Sequence, residues 1–179
     1  MGAKDVKQFL LEIKFQKQGA MKGDTQAVHG PLDFKKGLMC HAFEYSVASQ
    51  FDAGSGQLTG RRIHKPIRIV REVDSASPLI WQALCTNEAI QTATISFARP
   101  QATQGAAGTG QLVLHTTIAI TGGAIVKYRS WHGVLPGGDD QLEQIATNEL
   151  EEFEMVFTKL TYSNMPGSKS AQDDWSAMT

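Results

Sequence analysis

The sequence predicts a mainly β protein with roughly seven or more antiparallel strands and one short flanking α-helix at about residues 78–87. Three observations support this prediction. Apolar and polar residues alternate with a period of two along most of the chain, as they do in half-buried strands. Helical spacing of apolar residues occurs in a single segment, and most connections are short and contain glycine or proline. Such a pattern closes as a sandwich or as a barrel.

The alternation is clearest near the start of the chain. Leu11, Ile13 and Phe15 share one face of the first predicted strand, and the residues between them are charged. A turn rich in glycine follows. Two further strands are then marked by alternating apolar residues, which are Phe43, Tyr45 and Val47 in one and Ile67 and Ile69, after Pro66, in the other.

The predicted helix has a clear start signal. Ser77 is a residue type that caps free amide groups, and Pro78 suits the first helical position, where its missing N–H costs nothing. Asp74, just upstream, suits the positive end of the helix dipole. A single apolar stripe is expected from Leu79, Ile80, Ala83 and Leu84.

Strand signals resume after the helix. Alternating residues predict strands around 92–97 and 112–120, and Thr121-Gly122-Gly123 predicts a hairpin connection into a strand at 124–131. The GAAGTG stretch at 105–110 predicts a flexible turn. In the last predicted strand, Phe153, Met155 and Phe157 share one face. The glutamates of this region are expected to form a solvent-facing or subunit-facing edge, and they are Glu149, Glu151, Glu152 and Glu154.

The length favours one domain with room for a sizeable core. We assign residues 1–162 to this β-barrel domain and residues 163–179 to a polar, flexible C-terminal tail, which Trp175 could anchor.

Composition excludes several classes of partner. The 179 residues carry a net charge of −1 at pH 7, so neither nucleic acid nor an anionic membrane is predicted to bind. No apolar run is long enough to insert stably in a bilayer. Residues 1–15 lack the apolar core and small-residue cleavage site of a signal peptide, so any export is expected to bypass the general secretory route. Cys40 and Cys85 are expected to be buried thiols, and their pairing is left open.

The common catalytic and metal-binding patterns do not occur in the sequence. The five histidines show no HExxH spacing and CxxC is absent, so no metal site is predicted. Cys40 and His41 point to opposite faces of a strand, which separates thiol from base. Residues 54–56 do not fit the GxSxG motif of a nucleophile elbow. The loop at 105–110 lacks the lysine of a phosphate-binding loop. Asp139-Asp140 is interpreted as part of a solvated loop. The sequence therefore predicts no enzyme, no cofactor and no metal.

Three short motifs lead into the predicted helix. They read His64-Lys65-Pro66, Arg71-Glu72-Val73-Asp74 and Ala76-Ser77-Pro78-Leu79. With the polar turn at 22–25, FEYSV at 43–47 and FAR at 97–99, they resemble the Hcp family, the tube proteins of bacterial type VI secretion systems. The resemblance covers roughly residues 9–162, and its signature residues are His64, Pro66, Glu72, Asp74, Ser77 and Pro78.

The resemblance implies more than the pattern does. It implies an antiparallel β-barrel of two packed sheets with the helix on its flank. Six copies would form a ring with a wide channel, and rings would stack into a tube inside a contractile sheath. Contraction would drive the tube and its spike out of the bacterial cytoplasm, into the extracellular space or a target cell, with small effector proteins in the lumen. No cofactor belongs to this role.

The sequence predicts a long polar loop at 50–62, and this loop is the part that we expect to contact another subunit. It has too many small polar residues to fold alone, so it is expected to dock on a neighbouring subunit or ring. Arg61 and Arg62 would meet acidic groups there, and replacing both by Glu is expected to weaken stacking. The candidate contact residues are Gln50, Asp52, Arg61 and Arg62.

Two other classes of function remain open at the level of sequence. The first is a monomeric β-barrel that binds a small ligand, in a pocket lined by Trp81, Trp131, Phe43 or Tyr45. The second is a hydrolase whose site is spread over distant loops. Ring formation would distinguish the tube protein from both.

Overall fold

Antiparallel strands make up most of the chain in the computed structural model, which describes residues 8–101, 111–133 and 148–175. The turn expected at 105–110 and the Asp139-Asp140 pair lie outside these residues. The mainly β fold with a single α-helix is confirmed for the described part of the chain.

The first half of the chain contains short strands and the helix. Their bounds are β1 Phe9–Phe15, β2 Gly19–Ala20, β3 Val28–His29, β4 Leu32–Asp33, a 3₁₀ turn Phe34–Lys36, β5 Leu38–Cys40, β6 Ala42–Glu44, β7 Val47–Phe51, β8 Leu58–His64, β9 Ile67–Glu72 and α1 Ser77–Cys85. The second half is built from longer strands, which are β10 Ile90–Pro100, β11 Leu112–Trp131, β12 Leu150–Asn164 and β13 Lys169–Asp174.

Nine of the strands form one sheet, in the order β2-β1-β10-β11-β12-β9-β6, with β13 also on β12 and β5 also on β1. Every recorded pairing between neighbouring strands is antiparallel. The pairs β3–β4 and β7–β8 stand apart from it as two-stranded hairpins. The described residues thus form one nine-stranded sheet with two appended hairpins, in agreement with the mainly antiparallel β fold that was expected.

Among the described residues, strand pairing does not close this sheet into a complete barrel. Instead, residues 38–44 connect its two sides. Their first part, β5, pairs with β1, and their second part, β6, pairs with β9. Between the two, the amide of His41 donates to the carbonyl of Val70 at 2.9 Å. One segment therefore changes partner at His41 and joins the β1 side of the sheet to the β9 side.

The inner face of the curled sheet forms the main core. Leu11, Ile13 and Phe15 of β1 are 0–2% exposed, as their alternation predicted. Phe153 from β12 and Ile80 from α1 pack in the same cluster. Burying side chains of this size stabilises the fold by about 1.5–3 kcal/mol each.

The predicted hairpin at Thr121–Gly123 is wrong, because these residues lie inside the 20-residue strand β11. The strand keeps its partner β12 on both sides of the glycine pair. Gly123 has a φ of +151°, and a Cβ on it would lie 2.1 Å from the carbonyl oxygen of Val156. The Gly-Gly pair here permits two backbones to approach closely within a sheet. Because Gly-Gly is also common in turns, the sequence alone did not distinguish the two cases.

Helix α1 begins one residue earlier and ends two residues earlier than expected. The amides of Thr86 and Asn87 bond to the carbonyls of Gln82 and Leu84, and Asn87 has a φ of +50° that ends the helix. The apolar stripe is also narrower than expected, since Leu79 is 40% exposed.

The C-terminal tail differs from the flexible segment that was expected, because residues 169–174 form β13. They pair with residues 159–164 of β12, in register from Lys159–Asp174 to Asn164–Lys169. The neighbouring strand β9 covers only residues 150–155 on the same edge of β12. A polar segment can fill the remaining edge because the backbone supplies the ladder bonds.

Both cysteines are free, and only one of them matches its expected burial. Cys40 lies in the core, and burial raises the pKa of its thiol to about 12. Cys85, at the end of α1, is exposed, so the expectation of a buried thiol is wrong there.

Replacing Gly123 by alanine is expected to destabilise the fold by roughly 2–4 kcal/mol, because a side chain would meet the β12 backbone at an unfavourable φ. The free energy of unfolding from urea titration measures this. Gly54→Ala is the control, since the nearest neighbour of its Cβ would be the Asp52 side chain at 3.6 Å. Equal stability of the two variants would contradict the assigned role of Gly123.

Candidate assembly surface

The hairpin formed by β7 and β8, residues 47–64, extends from the sheet where the sequence predicted an irregular loop. Its strands pair from Val47–His64 to Phe51–Leu58. The loop expectation is wrong because the turn is closed locally. Both carboxylate oxygens of Asp52 accept bonds, from the Gly54 amide at 3.0 Å and the Ser55 hydroxyl at 2.6 Å, which lower the pKa of Asp52.

Large apolar side chains of this hairpin face water. Val47, Phe51, Leu58 and Ile63 are between 49% and 75% exposed. Gln50 lies over the opposite strand, since a Cβ at Gly60 would come within 2.5 Å of its side-chain oxygen. An isolated two-stranded ribbon is only marginally stable in water, so this surface is suited to being covered.

The base of the hairpin is tied to β13 by charge. Asp173 accepts hydrogen bonds from Arg62 through both carboxylate oxygens, and it lies 2.6 Å from Nε2 of His64. These bonds, led by those from Arg62, lower the pKa of Asp173 to about 2. Arg62 thus meets an acidic group within its own chain. Arg61 is exposed on the same strand.

His64 is the buried centre of this base, with 4% of its side chain exposed. A carboxylate can only accept, so in the neutral imidazole Nε2–H donates to Asp173 and Nδ1 accepts from the Tyr45 hydroxyl at 2.6 Å. The rings of Phe157 and Trp175 lie 5.5 and 5.2 Å from the imidazole ring. The predicted signature residue His64 is therefore a structural link between hairpin, sheet and tail.

Three of the other signature residues lie at the start of α1, and these are Asp74, Ser77 and Pro78. Asp74 accepts from the Ala76 amide at 2.9 Å, and the hydroxyl of Ser77 accepts from the Asp74 amide at 2.9 Å. The side chain of Ser77 therefore does not cap the helix. The carboxylate of Asp74 instead closes the turn that leads into the helix, because it accepts from the amide of Ala76, the residue just before α1. Pro78 lies in the first turn, where its missing N–H costs nothing.

Glu72 and Pro66 lie at the two ends of β9. Glu72 accepts from the side-chain amide of Asn148 at 2.9 Å, which fixes the approach to β12. Pro66 immediately precedes the strand, and next to it the Lys65 amide donates to Ser46 at 3.0 Å. These residues join strands; they do not gather around one reactive point.

The sequence did not predict the buried ion pair of Arg71 and Glu151, which lies next to these signature residues. Arg71 is 2% exposed and donates to Glu151, which is 0% exposed, at 2.7 Å. Arg71 also pairs with Asp74, and the Tyr128 hydroxyl donates to Glu151 at 2.7 Å. Burial and this bond raise the pKa of Tyr128. The one available signal was the REVD motif, which places a basic residue three positions before Asp74.

The next residue, Glu152, is buried on the opposite face of β12. Arg68, Arg129 and Lys127 contact its carboxylate at 2.6, 3.1 and 3.6 Å. Burial acts to raise the pKa of Glu152, and the bonds from Arg68 lead the effects that lower it on balance. The expectation of an exposed acidic edge is therefore wrong for Glu151 and Glu152.

The described residues contain no group of three or more His, Cys, Asp or Glu side chains placed to hold a metal ion. Within the same ranges, no helix is both long and apolar enough to cross a bilayer. The side chain of His41 is 6% exposed, and its burial lowers the pKa of the imidazole, which lies 3.6 Å from the carboxylate of Glu72.

A groove of about 360 Å³ is a candidate binding site for a small ligand. Phe43, Phe97, Ile118 and Tyr162 line it, together with Arg99. Of the four aromatic residues expected in a pocket, Phe43 lines this groove, and Tyr45 packs on His64 instead. Trp81 is 54% exposed on α1, and Trp131 lies under the Arg129 guanidinium, 4.6 Å away.

Arg71→Met is expected to reduce the free energy of unfolding by about 3–5 kcal/mol, because it leaves the buried carboxylate of Glu151 without its cation. The matched control Arg129→Met removes a 43% exposed partner of Glu152 and should cost about 1 kcal/mol or less, since Arg68 and Lys127 remain. Adding Glu151→Leu to Arg71→Met should recover part of the loss. Equal effects of Arg71→Met and Arg129→Met in urea titrations would contradict this assignment.

Comparisons with known proteins agree with this architecture. The family model described as "Type VI secretion system effector, Hcp" matches residues 10–163. The "Major exported protein" of Pseudomonas aeruginosa is 31% identical over 139 residues, which span 77% of this chain and 74% of that protein.

Solved structures show the same fold at lower identity. The crystal structure of an Hcp protein is 22% identical, has a TM-score of 0.75 and aligns over 94% of this chain and 99% of its own. Hcp1 of E. coli pathovar EAEC 042 is 24% identical with a TM-score of 0.71, over 95% and 99%. These likenesses support the fold, and the family match extends over most of the sequence. The chain therefore belongs to the Hcp family of type VI secretion system effectors.

Proposed function

We propose that this chain is a structural subunit of the inner tube of a type VI secretion system, in which six copies form a ring and rings stack. Membership of the Hcp family supports the proposal. The observation that carries it is the hairpin at 47–64, whose four large apolar side chains are about half exposed or more. A second copy of the chain would cover them.

A ring requires two different surfaces on each subunit, related by a rotation that closes. The hairpin is one such surface, because it projects from the sheet as a separate two-stranded unit. An uncovered apolar ribbon with free strand edges invites uncontrolled aggregation. Contact with a neighbouring subunit or ring covers the apolar side chains and occupies the edges.

In this role the protein is structural and requires neither a cofactor nor a catalytic residue. Its partners are further copies of itself, the contractile sheath and spike proteins, and small effectors in the lumen. It is made in the bacterial cytoplasm and reaches the extracellular space or a target cell. The name of the relative "Major exported protein" supports export.

The arginine pair is a poor probe of docking. Arg62 bonds to Asp173 in its own chain, so Arg62→Glu would set two carboxylates against each other in the monomer. A loss of stacking would then report a damaged hairpin base as readily as a lost contact. Phe51 and Leu58, the apolar residues near the turn, test docking more directly, because they are 64% and 75% exposed and carry no charge that another part of the chain neutralises.

The double variant Phe51→Ser, Leu58→Ser is expected to assemble at a concentration at least about tenfold higher than the wild type. A lost aromatic anchor at an interface costs on the order of 1.4 kcal/mol or more, which is a factor of ten. Sedimentation velocity over a concentration series measures the shift, and circular dichroism checks that the monomer stays folded.

Val28→Ser provides the matched control, because Val28 is also 53% exposed on a hairpin but lies in β3, outside residues 47–64. It should assemble like the wild type. Unchanged assembly of the double variant would contradict a docking role for the hairpin.

A further inference from the structure

We infer that the C-terminal strand β13 acts as a clamp that sets the pose of the hairpin, with Asp173 as the positioning residue. The clamp is a property of the single chain. Its consequence for assembly rests on the proposed function, because the hairpin must point correctly to meet a neighbouring subunit.

The hairpin needs such a support because its ladder is separate from the main sheet. Strands β7 and β8 pair with each other as a two-stranded unit. At its base, the bond from the Lys65 amide to the Ser46 carbonyl at 3.0 Å joins the two arms of the hairpin to each other and not to the main sheet. A ribbon joined at one end can swing, so its direction depends on side-chain contacts near that end.

Strand β13 is itself held firmly. Six residue pairs join it to β12, and Asp173 lies opposite Leu160 of the core. Just beyond, the Trp175 amide donates to the Thr158 carbonyl at 2.8 Å. Asp173 is therefore fixed relative to the main sheet.

From this fixed position Asp173 holds the hairpin at two points on β8. Its carboxylate bonds to the guanidinium of Arg62 and to Nε2 of His64, two residues further along the same face of the strand. His64 is 7% exposed, so loss of the carboxylate would leave a buried ring nitrogen without its acceptor. Asp173 therefore makes a charged bond to Arg62 and a buried bond to His64. Together, these two bonds set the distance and the angle of β8 relative to β13.

Aromatic packing reinforces the clamp. The Trp175 ring lies 5.2 Å from the imidazole of His64 and 6.2 Å from Phe157. Tyr45 stacks on His64 at 6.0 Å. Asp173 and Trp175 both lie beyond residue 163, where the match to the family model ends, so the clamp lies outside that family signature.

The test compares full-length wild type with Asp173→Asn by amide hydrogen exchange, at a concentration below that of assembly. The amide exchange rate within residues 47–64 is expected to rise about two- to tenfold. This is the effect expected when a carboxylate loses one partly exposed cation and one buried ring nitrogen. Exchange in β1 and β10 should not change. Asp33→Asn removes a carboxylate from the distant strand β4 and should leave the hairpin as it is in the wild type.

A second variant keeps the test specific. Arg62→Gln should raise hairpin exchange on its own and add little in the Asp173→Asn background, because both changes break one contact. Fully independent effects would overturn the clamp. So would unchanged hairpin exchange in Asp173→Asn, or a rise that extends equally into β1 and β10.

Assembly is measured separately on the same proteins, so that the two ideas fail in different ways. If hairpin exchange rises as expected while the wild type never forms rings, the clamp stands and the proposed function fails. If the wild type forms rings and Asp173→Asn leaves hairpin exchange unchanged, the function stands and the clamp is overturned. Where both hold, Asp173→Asn should also assemble more weakly than the wild type.

Discussion

The structure depends most on the two edges of strand β12. One edge pairs with β11 along nearly its whole length, and the other is shared by β9 at its start and β13 at its end. Because β12 contributes Phe153 and Phe157 to the core, this pairing also fixes the core against the sheet. Through β13, the same strand reaches the base of the exposed hairpin. Strand β12 therefore contacts the core, carries the buried glutamates and pairs with the strand that holds the candidate assembly surface.

Consecutive glutamates give β12 a register that is hard to shift. Glu151 points inward to Arg71, and Glu152 points to the opposite face, toward Arg68 and Arg129. A slip by one residue would exchange the faces and bury each carboxylate away from its cations. Buried ion pairs add little net stability compared with apolar packing, but a broken one is costly. Their contribution here is to make alternative pairings of β12 unfavourable.

Local patterns in the sequence predicted local structure well. The alternation of Leu11, Ile13 and Phe15 gave the correct inner face of β1, and the Ser77-Pro78 signal located the helix within two residues. The failures came where distant partners decide. Gly122-Gly123 suits a turn or a strand, and only the closeness of the β12 backbone distinguishes them.

The sequence did not predict the secondary structure of the candidate site. Residues 50–62 were expected to be an irregular loop because they are small and polar, but cross-strand bonds make them part of a hairpin. Its anchor, Asp173, lies 109 positions from His64 in sequence, and a polar tail gives no signal for such a contact. Likewise, Glu151 and Glu152 suggest an exposed edge until their cations on neighbouring strands are known.

Native mass spectrometry of the purified wild-type protein, with negative-stain images of the same sample, tests whether the chain assembles into rings. We expect a species of six subunits whose images show a ring with an open centre. A monomer that persists across a wide range of concentrations would contradict this expectation, because the exposed hairpin would then remain uncovered in the state that was proposed to cover it.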